Sequence, residues 1–373
     1  MVDAPDGRAR LTYRLGRDTL HLPTAALALV VGAAAGWVAK TLGTPLPWLL
    51  GALLVTATAA IAGIRPLGHV IGIPANVRTS FIPVIGVSIG AAFTPALLTE
   101  ALHWWPTLLA LFAFIPLAHG TGYLVARRIG GADPPTAYYG MMPGGFVESI
   151  PLGEAAGADI ALLATFQFLR LIVLIVLVPI GFSLATGHVV GSATGQVIGG
   201  DTPLSASDWA VLIACGFIGG AGGKWIGLPA GIILGPVLLS GGAHMAGLVE
   251  GGPPRWLIDL TQLVIGTNLG SRFAGRSPRI LLTGLKVIGV GVALMLVIAA
   301  AFAWAFHGAV GESWPAVFLA FAPGGLVEMA LIALSLELSV IYVTGHHVIR
   351  IMLAVIGAKL FETRVIGTRP PGA

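Results

Sequence analysis

Four ionisable side chains lie deep in sequence that is otherwise apolar. Glu148 closes the stretch Met142-Pro143-Gly144-Gly145-Phe146-Val147-Glu148, and Glu328 closes Ala322-Pro323-Gly324-Gly325-Leu326-Val327-Glu328. Arg170 and Arg350 each follow their glutamate by 22 residues (170 − 148 and 350 − 328). A charged side chain at the bilayer centre costs roughly 2.5–3.5 kcal/mol on insertion scales, so a carboxylate there is expected to be paired, protonated or functional. The repeated spacing suggests two pairs, Glu148 with Arg170 and Glu328 with Arg350. Such a pair can serve as a proton-coupled or anion-binding centre in which one member changes charge or partner. It can equally be an internal structural salt bridge, and each glutamate could simply favour the first turn of its own helix.

The backbone around the glutamates must be unusual. Pro143 and Pro323 lack an N–H and clash with a preceding helical turn. The glycine pairs Gly144-Gly145 and Gly324-Gly325 admit conformations that other residues resist. A broken helix is expected at each site, with the half-helix after the break aiming free N–H groups and its positive end at the gap. Non-helical backbone at membrane depth is tolerated only inside protein or beside a wet cavity. A plain proline kink is the simpler alternative.

The elements that position these groups are read from hydropathy. Of 373 residues, 56% are hydrophobic and 10% charged, against about 25% charged in a soluble domain; the mean hydropathy is +0.92. Apolar stretches fall at approximately 24–39, 46–63, 80–98, 104–126 and 158–186, then at 207–223, 229–248, 258–275, 281–306 and 339–361. These are expected to span a bilayer as helices. The Pro-Gly-Gly stretches lie between them, at about 136–153 and 314–335. Residues 187–206 are rich in Gly, Ser and Thr and read as a linker. Residues 1–20 form a basic arm with Arg8, Arg10, Arg14 and Arg17, expected in the cytoplasm, and no hairpin pattern is read in it. The run Thr24–Ala39 has the length of a signal-peptide core, but its counterpart at Ala210–Gly223 argues for a membrane helix in both places. Cys215, the only cysteine, reads as a small core residue.

The two halves match. At an offset of 184, Gly36, Lys40, Gly43, Pro45 and Gly51 meet Gly220, Lys224, Gly227, Pro229 and Gly235. At an offset of 180, Ile85, Gly86, Gly90, Phe93 and Arg170 meet Ile265, Gly266, Gly270, Phe273 and Arg350, as do the two Pro-Gly-Gly stretches. The expected fold is therefore an all-α polytopic membrane protein of two homologous repeats, residues 21–186 and 207–363, followed by a tail at 364–373. Each repeat has about five spanning helices plus a broken or re-entrant Pro-Gly-Gly helix. If the Pro-Gly-Gly stretches re-enter without crossing, each half crosses an odd number of times and the second copy is inverted. The inside then holds Arg8, Arg10, Arg14, Arg17, Arg65, Arg127, Arg128, Lys224, Arg272, Arg276, Arg279, Arg364 and Arg369, against Lys40 and Arg255 outside. The positive-inside rule prefers this arrangement to a parallel one.

The copies differ at Ser88 against Asn268, Ser149 against Met329, and Phe166-Gln167 against His346-His347. Ser88, Ser149, Gln167, Asn268, His346 and His347 are read as the unequal lining of a pseudo-symmetric site. Adjacent histidines point about 100° apart on a helix and lack metal spacing; no metal, no cofactor and no catalytic constellation is expected. The net charge of +4 is small and spread over loops and termini, which gives no nucleic-acid surface.

The duplicated Pro-Gly-Gly-x-Val-Glu motif on a Gly-rich multi-pass chain resembles the bacterial membrane AbrB family, over roughly residues 25–362. The resemblance implies a duplicated membrane domain. Members carry labels of transcriptional regulator or of ammonia monooxygenase. Direct DNA binding needs a soluble basic module, for which only the N-terminal arm is available, and a monooxygenase needs a His-rich or carboxylate-rich cluster. The expected function is a secondary transporter or exporter of a small solute, with protons as possible coupling ions, in the inner membrane of a bacterium. Pro143, Gly144, Gly145, Glu148 and Arg170, with Pro323, Gly324, Gly325, Glu328 and Arg350, would carry it. The alternatives are a membrane-embedded regulator or sensor acting on gene expression indirectly, and a membrane enzyme.

Overall fold

The structure is a computed structural model that describes residues 12–15, 18–94, 99–144, 146–186, 203–228 and 230–366. The described residues are helical apart from their connections and one hairpin, in which β1 (Thr12–Leu15) pairs antiparallel with β2 (Asp18–His21) in the register Leu15↔Asp18. This corrects the reading of the arm as patternless. The register leaves a two-residue connection, and Gly16 at its first position is a recognised hairpin signal. The four arginines of the arm obscured it. Most of the linker, residues 187–202, lies outside the described residues.

The helices follow in chain order: α1 (Leu22–Thr41), α2 (Pro47–Ile61), α3 (Ala75–Gly90), α4 (Trp105–Arg128), α5 (Pro134–Gly140), α6 (Phe146–Ala156), α7 (Ile160–Thr186), α8 (Ala206–Trp225), α9 (Gly231–Met245), α10 (Arg255–Ser271), α11 (Pro278–Val310), α12 (Trp314–Phe321), α13 (Leu326–Ser335) and α14 (Val340–Ile366). Starts obey local chemistry. Asp133 accepts from Thr136 N ahead of α5, Ser313 accepts from Ala316 N ahead of α12, and Ser205 and Asp208 form a reciprocal capping box on α8. α3 and α10 begin just after Pro74 and Pro254, earlier than hydropathy indicates, because their first turns are polar.

Among the described residues, six helices are long and apolar enough to cross a membrane: Leu22–Thr41, Trp105–Arg128, Ile160–Leu184, Ala206–Trp225, Arg279–Val310 and Val340–Glu362. The other four expected spans, α2, α3, α9 and α10, have 15, 16, 15 and 17 residues. At 1.5 Å per residue they rise about 22–26 Å, short of a hydrocarbon core of about 30 Å. Ten full spans are thus not met by length.

The chain packs as two compact units that cut across its halves. One takes residues up to 91, 179–226 and 231–276; the other takes 92–178, 227–230 and 277 onward. In the first unit, α1 and α2 pack with α10, while α8 and α9 pack with α3. Each helix pair therefore holds the third helix of the opposite half. Glycines permit the contact: a Cβ at Gly266 would overlap the Leu49 carbonyl, and one at Gly86 the Ile233 carbonyl. These contacts correspond at the sequence offsets (86 + 180 = 266 and 49 + 184 = 233). Cys215 lies in a buried cluster of this unit with Val87, Leu212, Ala243 and Val249. In the second unit, α11 packs on α4 and α12, and α14 packs on α4, α5, α12 and α13.

Candidate functional site

All four singled-out ionisable residues fall in the second unit. Each Pro-Gly-Gly stretch separates two short helices, as the residue chemistry requires. α5 stops at Gly140 and α6 starts at Phe146; α12 stops at Phe321 and α13 starts at Leu326. Gly144 has φ +137, a conformation that favours glycine.

The arginines act on the backbone of these breaks. Arg170 Nη1 donates to Met142 O at 2.6 Å, and its Nη2 donates to Gln167 Oε1 at 2.6 Å. Gln167 Nε2 in turn donates to Tyr139 O at 2.8 Å. Arg350 Nη1 donates to Ala322 O, and its Nη2 reaches Gly324 O at 2.6 Å and His347 Nδ1 at 2.9 Å. His347 Nε2 meets Leu319 O at 2.9 Å. Donors and acceptors correspond at one offset: 142 + 180 = 322, 139 + 180 = 319, 167 + 180 = 347 and 170 + 180 = 350. A helix end leaves its last carbonyls without intrahelical partners, and a cation there also meets the negative end of the helix dipole. Arg170 thus holds one carbonyl at its break, and Arg350 holds two.

This changes the part assigned to Gln167 and His347. An arginine only donates, so His347 Nδ1 must accept and Nε2 must carry the hydrogen that goes to Leu319 O. Gln167 does the same with Oε1 and Nε2. The two differ in type and coincide in role, so neither is a free wall of the site. The signal was present in the sequence: each lies three residues before its arginine, one helical turn away on the same face.

The expected glutamate partners stand as follows. The side chain of Glu148, and Gly145, lie outside the described residues. Glu328 is 2% exposed and occupies the first turn of α13. Its carboxylate lies against Gly325, next to the Gly324 carbonyl that Arg350 holds. Arg170 and Arg350 are 2% and 0% exposed, and Nε of each has no hydrogen-bond partner among the described residues.

The breaks also meet the opposite arginine helix. A Cβ at Gly144 would lie 3.1 Å from Ile351 Cγ1, and one at Gly325 would lie 2.9 Å from Leu171 Cδ2. Ile351 and Leu171 each follow an arginine by one residue, in α14 and α7. The first break therefore touches the helix of Arg350, and the second touches the helix of Arg170.

The remaining lining residues separate. Ser149 and Met329 are buried beside their glutamates, and the Met329 side chain lies over Gly324. His346 is fully buried and bonds away from the break, to Tyr342 O and Thr107 Oγ1. Ser88 and Asn268 belong to the first unit, where Asn268 Nδ2 donates to Ile73 O at 2.8 Å. Thr107 was not anticipated; nothing in its local sequence marks it, because its partner lies 239 residues away.

The chain has relatives over most of its length. The AbrB family model, described as "Transition state regulatory protein AbrB", matches residues 48–365. A protein of Bacillus subtilis (strain 168) named "Uncharacterized protein YhjN" is 26% identical over 355 residues, covering 88% of this chain and 89% of that protein. A protein of Escherichia coli (strain K12) named "Putative regulator AbrB" is 26% identical over 293 residues, covering 78% of this chain and 81% of that protein. With a family match over most of its length, and a fold of long apolar helices interrupted twice by Pro-Gly-Gly breaks, this chain belongs to the AbrB family.

Proposed function

We propose that the protein is a secondary transporter or exporter of a small solute in the bacterial inner membrane, built from two inverted repeats and working by alternating access. The observation that carries this reading is the presence of both broken helices in one unit, in reciprocal contact with the arginine helices. Each break touches the helix that carries the other half's arginine, and each has at least one carbonyl held by a buried guanidinium. Broken helices from inverted repeats, meeting at one place, are the usual solute site of secondary transporters. The matched glycine contacts of α3 and α10, and the arginine contacts repeated at 180 residues, support the duplication. The excess of loop arginines on one side supports inversion with a cytoplasmic N-terminus. In this reading the half-helix starts at Gly145 and Gly325 bind the solute, and Glu148 and Glu328 exchange charge with it. The arginines hold the breaks open rather than move through the cycle.

Accessibility tests this reading. With Cys215 replaced by Ala, single cysteines at Ser149 and Met329 should react with small thiol reagents from each side of the membrane in turn, and added solute should change the balance. Inertness from both sides would describe a sealed structural core and sink the proposal. A regulatory reading is favoured by the printed name of the Escherichia coli relative. It predicts that Glu148→Gln changes gene expression while every solute flux stays as in the wild type.

A further inference from the structure

His346 and His347 are neighbours with opposite constraints. His347 faces a donor at Nδ1 and a carbonyl at Nε2, so it is held neutral; an added proton would set N–H against N–H. His346 is held differently. Its Nδ1 is 2.8 Å from Tyr342 O, which only accepts, so Nδ1 carries a hydrogen. Its Nε2 is 2.9 Å from Thr107 Oγ1, and that hydroxyl is also 2.9 Å from Trp104 O.

Besides the neighbouring Tyr342 hydroxyl, Thr107 has one proton and two acceptors within reach, His346 Nε2 and Trp104 O. If the hydroxyl donates to Nε2, the imidazole is neutral. If it turns to Trp104 O, Nε2–H donates to Thr107 Oγ1 and the ring is a cation. Both states satisfy the same heavy-atom positions and differ by one proton and one hydroxyl rotation.

Aromatic rings and a cavity lie beside this imidazole. Tyr342 packs 4.1 Å from His346 and 5.2 Å from Trp104, centroid to centroid, and its buried hydroxyl lies toward Thr107. Trp104 lines a cavity of about 430 Å³ together with Glu100, His103, Glu312 and Ser339. Burial pushes the Glu312 carboxyl up; the Ser339 hydroxyl offsets part of that, and Glu100 adds to it.

We propose that His346 is a proton-binding site, loaded from the Glu100–Glu312 cavity and gated by rotation of the Thr107 hydroxyl, and that this proton is the coupling ion. The step moves one proton onto Nε2 and exchanges one hydrogen bond of Thr107. The coupling role rests on the transporter reading, whereas the proton site does not. Charged and titratable groups on the surrounding elements set its balance. Glu100 and His103 precede α4, and His119, Tyr123, Arg127 and Arg128 lie in it. Tyr138 and Tyr139 lie in α5, Glu312 follows α11, Glu328 lies in α13 and Arg170 in α7; α12 carries none. On α14 itself, Arg350 opposes the added charge and His347 is held neutral beside it. The cavity acids favour it.

The test uses the full-length protein, labelled with ¹⁵N-histidine, in lipid bilayers. Solid-state NMR would follow the imidazole nitrogens as pH falls through about 8 to 4.5, the span in which histidine changes charge. One Nδ1–H ring should become doubly protonated, and that signal should be missing in His346→Gln. Thr107→Val should move its midpoint by about one pH unit or more, the equivalent of one hydrogen bond, and Thr107→Ser should restore it. If His346 stays neutral throughout, or Thr107→Val leaves the midpoint unmoved, the proton site is wrong. Solute flux in vesicles separates the second clause. Loss of pH-gradient dependence in His346→Gln supports coupling, and unchanged dependence overturns it. A titrating ring with no flux of any solute would instead sink the transporter reading and the coupling role with it.

Discussion

Arg350 holds two backbone carbonyls and one imidazole nitrogen, so Arg350→Ala strands acceptors in the protein interior. A buried polar group left without its partner costs about 1–3 kcal/mol, and the loss here should exceed about 2 kcal/mol. Arg350→Lys should fall between, since an ammonium lacks the planar fork that spans two carbonyls. Thermal melts of purified protein would read both. The neighbouring position offers a sharper comparison. His347→Gln should be nearly neutral, within about 0.5 kcal/mol, because Gln167 already performs that role 180 residues earlier. His347→Ala should cost several times more. Glu312 gives a pH signature. Its carboxyl is raised in the folded state, so the fold binds that proton more tightly than the unfolded chain does. Its contribution is then fullest below the ordinary carboxylate range and is lost as pH rises through the raised value. Glu312→Gln should therefore raise the melting temperature at neutral pH and change it little near pH 4. At this scale the sequence singled out the buried arginines but not their partners. The glutamate–arginine spacing was visible, yet the arginines bond to carbonyls 26 and 28 residues back, and no side-chain pattern reports a backbone acceptor.

The breaks themselves were legible at the scale of elements, because proline and paired glycine act on the local backbone whatever the tertiary context. Gly144 is the position where that chemistry is most exacting. With φ +137 and Ile351 alongside, Gly144→Ala should cost about 1–3 kcal/mol from backbone strain alone. Gly181, inside α7 with nothing within 4 Å of a built Cβ, is the control. Gly181→Ala should be neutral or stabilising by up to about 1 kcal/mol, the helix-propensity difference. Comparing the two melts would show whether the break is a strained working part or a tolerant kink. Element lengths were less legible. Hydropathy found the apolar stretches but overrated α2, α3, α9 and α10, because apolar residues continue beyond the helix ends into the connections. The hairpin of β1 and β2 was missed for a related reason: four arginines dominate a segment whose turn signal is a single glycine.

Taken whole, the chain is an AbrB-family protein with six described helices long and apolar enough for a membrane, and its two halves each contribute helices to both units. That sharing could not be read from one sequence. An offset match shows which segments correspond, and only packing shows that α10 sits with α1 and α2 while α3 sits with α8 and α9. That arrangement explains four of the glycines that recur at matched positions: Gly86, Gly90, Gly266 and Gly270 each admit a helix from the opposite half, whereas Gly51 and Gly235 admit a neighbour from their own half. The account's central claim is that the paired breaks move a solute. Its most direct test is the profile of small solutes in cells that carry the wild-type protein, lack it, or carry Glu148→Gln/Glu328→Gln, with membrane levels of the variant checked. The account predicts that at least one solute changes between carrying and lacking cells, and that the double variant matches the lacking cells. Identical profiles in all three, with the variant folded and present in the membrane, would contradict it.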